Sequence, residues 1–162
     1  QLVTLAEAFG MHVIGYDPYI KNSPVKLYAE LNDIYPLADF LSVNMPLTPE
    51  TKNMITTKEL SLMKPTAYII NSARGGIINE PDLADALNHD QLAGAAIDSF
   101  NPEPPAPDNP LFTSKNTVLT SHIAGTTKEA NAALGIGAAQ AIIDFSNGKL
   151  PQFPVNPDVF AH

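Results

Sequence analysis

The sequence predicts an α/β fold built on a doubly wound parallel sheet, and three observations carry that prediction. Short apolar runs alternate with helical patterns along the whole chain. The runs "FLSV" and "AYII" are continuously apolar, as strands covered on both faces should be. Three helical segments open on clear start signals, "TTKE" at 56–59, "NEPD" at 79–82 and "TTKE" at 126–129. Such alternation is satisfied by parallel strands joined through right-handed crossovers, with helices on both faces.

In chain order, "QLVTLAEAFG" places Leu2, Leu5, Ala6 and Phe9 at helical spacing and stops at Gly10, a usual C-terminal glycine. This helix reads as one whose beginning is missing. "MHVIGYDPYI" follows, a strand near 12–16 running into Asp17, and then a weaker strand near 25–28. Further strands are expected near 39–44, 67–72, 94–98 and 117–120. After the last of them comes a long helix with the apolar stripe Leu134, Ala138, Ala141, Ile142 and Phe145, ending at "NGK". Gly135, Gly137 and several alanines on it allow another backbone to approach. The tail "PQFPVNPDVF" is apolar enough at Phe153, Val155, Val159 and Phe160 to dock on a larger body rather than stay solvated. The expected organisation is an α/β domain over 1–127, a long helix over 128–148 and a C-terminal segment over 149–162.

Composition narrows the function. With 162 residues, 44% of them hydrophobic and 16% charged, the chain buries enough surface for one core and reads as a soluble globular unit. Nine basic against seventeen acidic side chains give a net charge of -8, which disfavours nucleic acid or an anionic membrane as a partner. The absence of cysteine excludes disulfides, thiolate zinc sites and cysteine nucleophiles, and no metal is called for. No apolar run approaches the roughly 18 residues of a membrane span.

In parallel sheets ligands bind beyond the carboxyl ends of the strands. Those positions are Asp17, Asn44 to Pro46, Ser72 to Gly76, Asp98 to Glu103 and Ser121 to Gly125, and nearly every unusual residue of the chain is among them. In "NSARGG" a guanidinium stands where a buried strand should be ending; its planar fork suits a carboxylate, while the two glycines let the backbone turn and approach a ligand. A structural ion pair with a neighbouring acid is the alternative for Arg74. His122 ends another strand in "VLTSHIAGTT", and Glu103 lies in "NPEPPAPDNP", a stiff proline-rich loop over the same edge. A carboxylate bonded to one ring nitrogen would fix the tautomer and favour the imidazolium, leaving the other nitrogen to deliver a proton. His12, His89 and His162 have no such setting and are read as structural or solvated. Asp17, Asp98 and Gly125 each have a plain alternative: a turn residue before Pro18, a strand-end cap and a hinge into a helix.

The blocks "VIGYDPYI", "PLTPETKNMI", "MKPTAYIINSARGGIINEPDLADAL", "LAGAAIDSFNPEPP" and "TSHIAG" together resemble the NAD-dependent D-isomer-specific 2-hydroxyacid dehydrogenases over essentially the whole chain. The resemblance implies a Rossmann-like fold and a catalytic set of Arg74 on the substrate carboxylate and carbonyl, His122 as proton carrier and Glu103 holding it. It implies NAD contacts at Asp17 on the adenine ribose, at Pro46 and Thr51 along the dinucleotide, and at the Ser72, Ala73 and Arg74 turn. Asp98 would lie near the nicotinamide amide, followed by His122, Ala124 and Gly125. Ala124 stands where a glycine is common, which is tolerated unless that backbone needs positive φ.

The resemblance also implies a first strand and a glycine-rich phosphate loop ahead of Gln1, so the sheet is expected to be incomplete at its N-terminal edge. A separate substrate domain is expected to be absent as well, and this chain alone is expected to be inactive. The whole protein is expected to be a cytoplasmic homodimer acting on a small 2-oxo or 2-hydroxy acid. A non-enzymatic, NADH-sensing, protein-binding module of the same fold is the alternative, and some other dinucleotide enzyme a third.

Overall fold

A computed structural model describes the backbone of residues 1–160 and the side chains of residues 1–158. The readings of the Val159 and Phe160 side chains and of His162 lie outside the described residues. The chain falls into two compact units, residues 1–122 and 123–162.

The first unit opens with α1 (Leu2–Ala8). Gly10 ends it at φ 78°, donating to the Glu7 carbonyl at 2.8 Å while Met11 donates to that of Ala6 at 3.1 Å. This is the double bond of a left-handed helix cap, which a glycine adopts without strain. The apolar stripe of α1 is uncovered, with Leu2, Leu5 and Phe9 all exposed. Strands β1 (Ile14–Gly15) and β2 (Lys26–Leu27) then pair in parallel. The remaining strands are β3 (Phe40–Val43), β4 (Tyr68–Asn71), β5 (Gly94–Ile97) and β6 (Thr117–Leu119). They form a four-stranded parallel sheet in that order.

All six strands fall where the sequence puts them, but the hydrogen bonding divides them into two sheets, since no ladder joins β1 to β3 among the described residues. Apolar runs mark strands; the partner of each strand is a non-local choice that those runs do not encode.

The helices between the strands start where their caps predict. Thr56 precedes α2 (Thr57–Leu60), and the Glu59 carboxylate reaches back to accept from the Thr56 N–H at 3.0 Å and its hydroxyl at 2.7 Å. Asn79 caps α3 (Glu80–Asn88) by accepting from the Asp82 N–H at 3.0 Å. His89, at the C-terminal end of α3, is exposed and donates from Nδ1 to the Asp85 carbonyl 2.9 Å away, in keeping with its reading as structural or solvated.

The two faces of the larger sheet differ. Val43, Ile69, Ala95 and Ile97 turn into one core with Leu60, Met63, Leu83, Ala84 and Leu87. Each fully buried Leu or Ile there contributes roughly 1.5–3 kcal/mol. On the opposite face Phe40, Tyr68 and Val118 are 58%, 43% and 65% exposed. Phe40 and Tyr68 are ladder partners whose rings stack at 5.4 Å, and the Tyr68 ring lies across Gly94, where a Cβ would come within 3.0 Å of it. The expectation that "FLSV" and "AYII" are covered on both sides is therefore corrected: an apolar residue marks a strand, whereas cover depends on what else packs there.

In the second unit the Thr127 hydroxyl accepts from the Ala130 N–H at 3.0 Å and so caps α4 (Lys128–Ser146). This helix buries no residue, and Leu134, Ile142 and Phe145 are 71%, 71% and 64% exposed. Gly148, at φ 70°, ends it with Lys149 donating to the Asp144 carbonyl at 2.8 Å, as "NGK" predicts. A 3-10 turn covers Pro157–Phe160. No helix among the described residues is long and apolar enough to cross a membrane.

Candidate active site

The register of the sheet aligns Val43, Asn71, Ile97 and Leu119 in one row, so the residues that follow them emerge together at its C-terminal edge. Backbone bonds carry the order past the last ladder pair. Asp98 donates to the Asn71 carbonyl at 2.9 Å, and His122 donates to the Asp98 carbonyl at 2.7 Å. Three strand ends are thereby tied to one another.

Asn71, 2% exposed, shapes the turn that follows β4. Its side-chain oxygen accepts from the Ala73 N–H at 3.1 Å and its amide donates to the Arg74 carbonyl at 2.9 Å. A buried amide satisfied on both sides fixes a turn more firmly than one facing water. The Ser99 hydroxyl adds a longer bond, 3.4 Å, to the Ala73 carbonyl. Arg74 is exposed and folds back so that Nη1 donates to the Ala73 carbonyl at 2.7 Å. Among the described residues it forms no ion pair, so the neighbouring-acid reading of this arginine has no partner here.

Of the two glycines after Arg74, Gly76 makes the turn read in the sequence, and both also admit a close contact within the chain. A Cβ on Gly75 would stand 1.9 Å from the Phe100 carbonyl oxygen and 2.7 Å from the Asn101 nitrogen. Gly76 sits at φ 80° with the Asn101 side chain 3.1 Å from its Cβ position. The close approach seen at these glycines is that of the chain leaving β5, which carries Glu103. The sequence shows that something must come near a double glycine; the partner is set by tertiary folding.

Glu103 meets His122 as expected, with Oε1 2.8 Å from Nδ1. Their side chains are 43% and 40% exposed. His122 holds φ 56°, a left-handed conformation uncommon for a residue with a side chain and frequent where geometry serves function. Asp98 is buried, and its carboxylate accepts from the Thr120 hydroxyl at 2.5 Å, bracing β5 against β6.

The remaining sequence-predicted positions divide. Asp17 follows β1, and its Oδ1 accepts from the N–H groups of Tyr19 at 2.9 Å and Ile20 at 3.2 Å, so the turn reading of this residue is present. Its Oδ2 makes no hydrogen bond among the described residues. Beyond β3, the Thr51 hydroxyl donates to the Pro46 carbonyl at 2.7 Å and accepts from the Thr48 N–H at 2.7 Å, locking those two positions together. Ser72 is exposed, and Ala73 packs against the core. Ala124 is not among the residues with positive φ, and neither is Gly125, so alanine in the glycine-common position carries no backbone strain. Both lie in the second unit. Among the described residues no group of three or more His, Asp or Glu could hold a metal ion.

Sequence reasoning missed Asn71, Glu80, Asn109 and Thr120. Asparagine at a strand end before "SARGG" was the available signal for the first. The other three act through contacts far along the chain, as Glu80 does in reaching Asn109 across 29 positions.

Parallel strands with polar residues gathered beyond their carboxyl ends define the class of dinucleotide-binding α/β domains. Residues 1–124 match the family described as D-isomer specific 2-hydroxyacid dehydrogenase, NAD binding domain. The chain is 42% identical over 161 residues to a D-3-phosphoglycerate dehydrogenase of Methanocaldococcus jannaschii, covering 96% of this chain and 30% of that protein. It is 37% identical to a glyoxylate reductase of Aeropyrum pernix, covering 98% and 49%. Among solved structures, D-lactate dehydrogenase with NAD+ from Lactobacillus jensenii superposes with a TM-score of 0.85 at 30% identity, covering 93% of this chain and 50% of that one. This chain belongs to the D-isomer-specific 2-hydroxyacid dehydrogenase family and carries its NAD-binding domain. It spans less than half the length of these curated relatives.

Proposed function

We propose that the whole protein is an NAD-dependent D-2-hydroxyacid dehydrogenase acting on a short 2-oxo or 2-hydroxy acid, with this chain as its cofactor-binding half. The observation that carries the reading is the 2.8 Å bond between His122 Nδ1 and Glu103 Oε1, at the same sheet edge as the guanidinium of Arg74, which forms no ion pair among the described residues.

The donor set suits NAD. Asp17 keeps Oδ2 outside its own turn, available to ribose hydroxyls, and no arginine stands among the three residues after it to accept a 2'-phosphate. Pro46 and Thr51 would line the dinucleotide, the turn of Ser72, Ala73 and Arg74 would lie beneath it, and Asp98 would face the nicotinamide amide. His122, Ala124 and Gly125 complete the set. When bound, NAD supplies or takes up the hydride at C2 of the acid.

The chain's own residues supply the rest. Arg74 orients the substrate carboxylate through its fork of N–H donors. His122, bonded through Nδ1 to Glu103, has Nε2 left to give a proton to the C2 oxygen in reduction and to remove it in oxidation. Glu103 sets the tautomer and compensates the charged ring. The exposed apolar residues of α4 and of segment 149–158 fit a connecting helix and a strap against a substrate domain, in a cytoplasmic homodimer. With Glu103 and His122 about two fifths exposed, this chain alone leaves the reacting groups in water and is expected to show no 2-oxo acid reduction.

The test is a panel of short 2-oxo acids with NADH and the full-length protein. Turnover of at least one acid, abolished by His122→Ala, supports the proposal. NADH binding with no turnover of any acid overturns it in favour of a sensing module.

A further inference from the structure

Glu80 opens α3, yet it is 8% exposed and its carboxylate points away from the helix axis to a distant loop. Oε1 accepts from the backbone N–H of Asn101 at 2.7 Å. Oε2 accepts from the side-chain amide of Asn109, whose oxygen in turn accepts from the Leu111 N–H at 3.0 Å. One buried carboxylate thus fastens both ends of the 101–109 segment, and Glu103 lies between the two fastenings. Glu103 has a single hydrogen bond among the described residues, the one to His122, so apart from that bond it is the course of its loop that places it.

We infer that Glu80 is a positioning residue for the Glu103–His122 pair, setting through Asn101 and Asn109 the loop that delivers the Glu103 carboxylate to Nδ1. The inference rests on the proposed roles of Glu103 and His122. An acid in the first turn of a helix also favours the helix dipole. That role needs no burial and no bonds to residues 21 and 29 positions away, whereas a loop anchor needs both. The chemistry also requires a carboxylate. Both of its oxygens accept, and a glutamine would turn an NH2 toward the Asn109 NH2 and keep only one of the two bonds.

The test uses the full-length protein with Glu80→Ala, Glu80→Gln and Asn109→Ala. Two quantities are read: the downfield ring N–H resonance of His122 bonded to Glu103, and kcat and KM for reduction of a 2-oxo acid with NADH. Glu80→Ala is expected to lose or shift the resonance and lower kcat by roughly ten- to a hundredfold, the scale of a misplacement near 1 Å. KM for NADH should hold, because Asp17, Pro46 and Thr51 are untouched. Glu80→Gln should fall between wild type and alanine. A resonance unchanged and a kcat within about twofold of wild type in Glu80→Ala overturn the inference. If that variant does not fold, Asn109→Ala decides, and an unchanged resonance there is the overturning result. A wild-type protein without turnover would sink the proposed function alone, since the resonance still reports whether Glu80 governs the pair.

Discussion

The Phe100 carbonyl oxygen occupies the place where a side chain on Gly75 would begin, 1.9 Å from the ideal Cβ position. The turn bearing Arg74 and the loop bearing Glu103 are therefore in backbone contact. A substitution at Gly75 must move one of them, because the obstacle is main chain rather than the tip of a flexible side chain. Gly75→Ala is expected to cost at least the roughly 1–3 kcal/mol of an overpacked core site. Gly135 in α4 has nothing within 4 Å of its Cβ position, and Gly135→Ala in this chain is expected to gain roughly 0.5–1 kcal/mol. Denaturant unfolding of the two variants checks the contrast. The same Gly135→Ala change made in the full-length protein should instead cost stability if another backbone packs on that face of α4.

The Glu103–His122 bond predicts different losses in two variants. Glu103→Gln can turn an amide N–H toward Nδ1, so the ring loses its fixed tautomer and orientation, and kcat for reduction is expected to fall by roughly tenfold or more. Arg74→Ala should instead act mainly on kcat/KM for the acid, since it removes orientation of the substrate rather than the proton. Steady-state kinetics of the full-length variants measure both, and a kcat within about twofold of wild type in Glu103→Gln would leave that residue as a loop anchor.

Cofactor choice is expected to rest on Asp17. Asp17→Asn keeps an acceptor for the Tyr19 and Ile20 N–H groups while removing the charge that would repel a 2'-phosphate. Wild-type full-length protein should prefer NADH, and the variant should raise the NADPH to NADH ratio of kcat/KM by roughly tenfold or more. Equal efficiency with both cofactors in wild type would overturn the assignment.

The capped start of α2 carries a pH-dependent share of stability. Burial pushes the Glu59 carboxyl up, but the Thr56 hydroxyl and N–H, the helix backbone and Lys58 together hold it below its ordinary value. A carboxylate lowered in this way stabilises the fold above its unfolded value, roughly pH 4.3, and loses that contribution as pH falls through the lowered one. Thr56→Ala is expected to cost about 1 kcal/mol at neutral pH. The difference between wild type and Glu59→Gln should narrow on acidification below about pH 4. Urea unfolding at pH 7 and pH 3 tests the sign, and a gap that widens in acid would refute it.

What the sequence determined by itself was local. The alternation of apolar runs and helical patterns placed all six strands, "TTKE" at 56–59, "NEPD" at 79–82 and "TTKE" at 126–129 marked helix starts, and Gly10 and "NGK" marked stops, because period and caps act within one turn or one strand. Arg74, Glu103 and His122 were readable as strand-end residues for the same reason: parallel crossovers send every strand the same way, so its last residues reach a common edge.

Tertiary structure decided which of these groups touch. It divided the strands into two sheets, left Phe40, Tyr68 and Val118 on an open face, and gave Gly75 to the Phe100 backbone. It also brought Glu80 to Asn101 and Asn109 and turned His122 to φ 56°. Each of these depends on contacts between segments far apart in the chain, where hydrophobic period and residue type are the same whichever partner arrives. Only close packing, in which one backbone atom excludes another, selects among them.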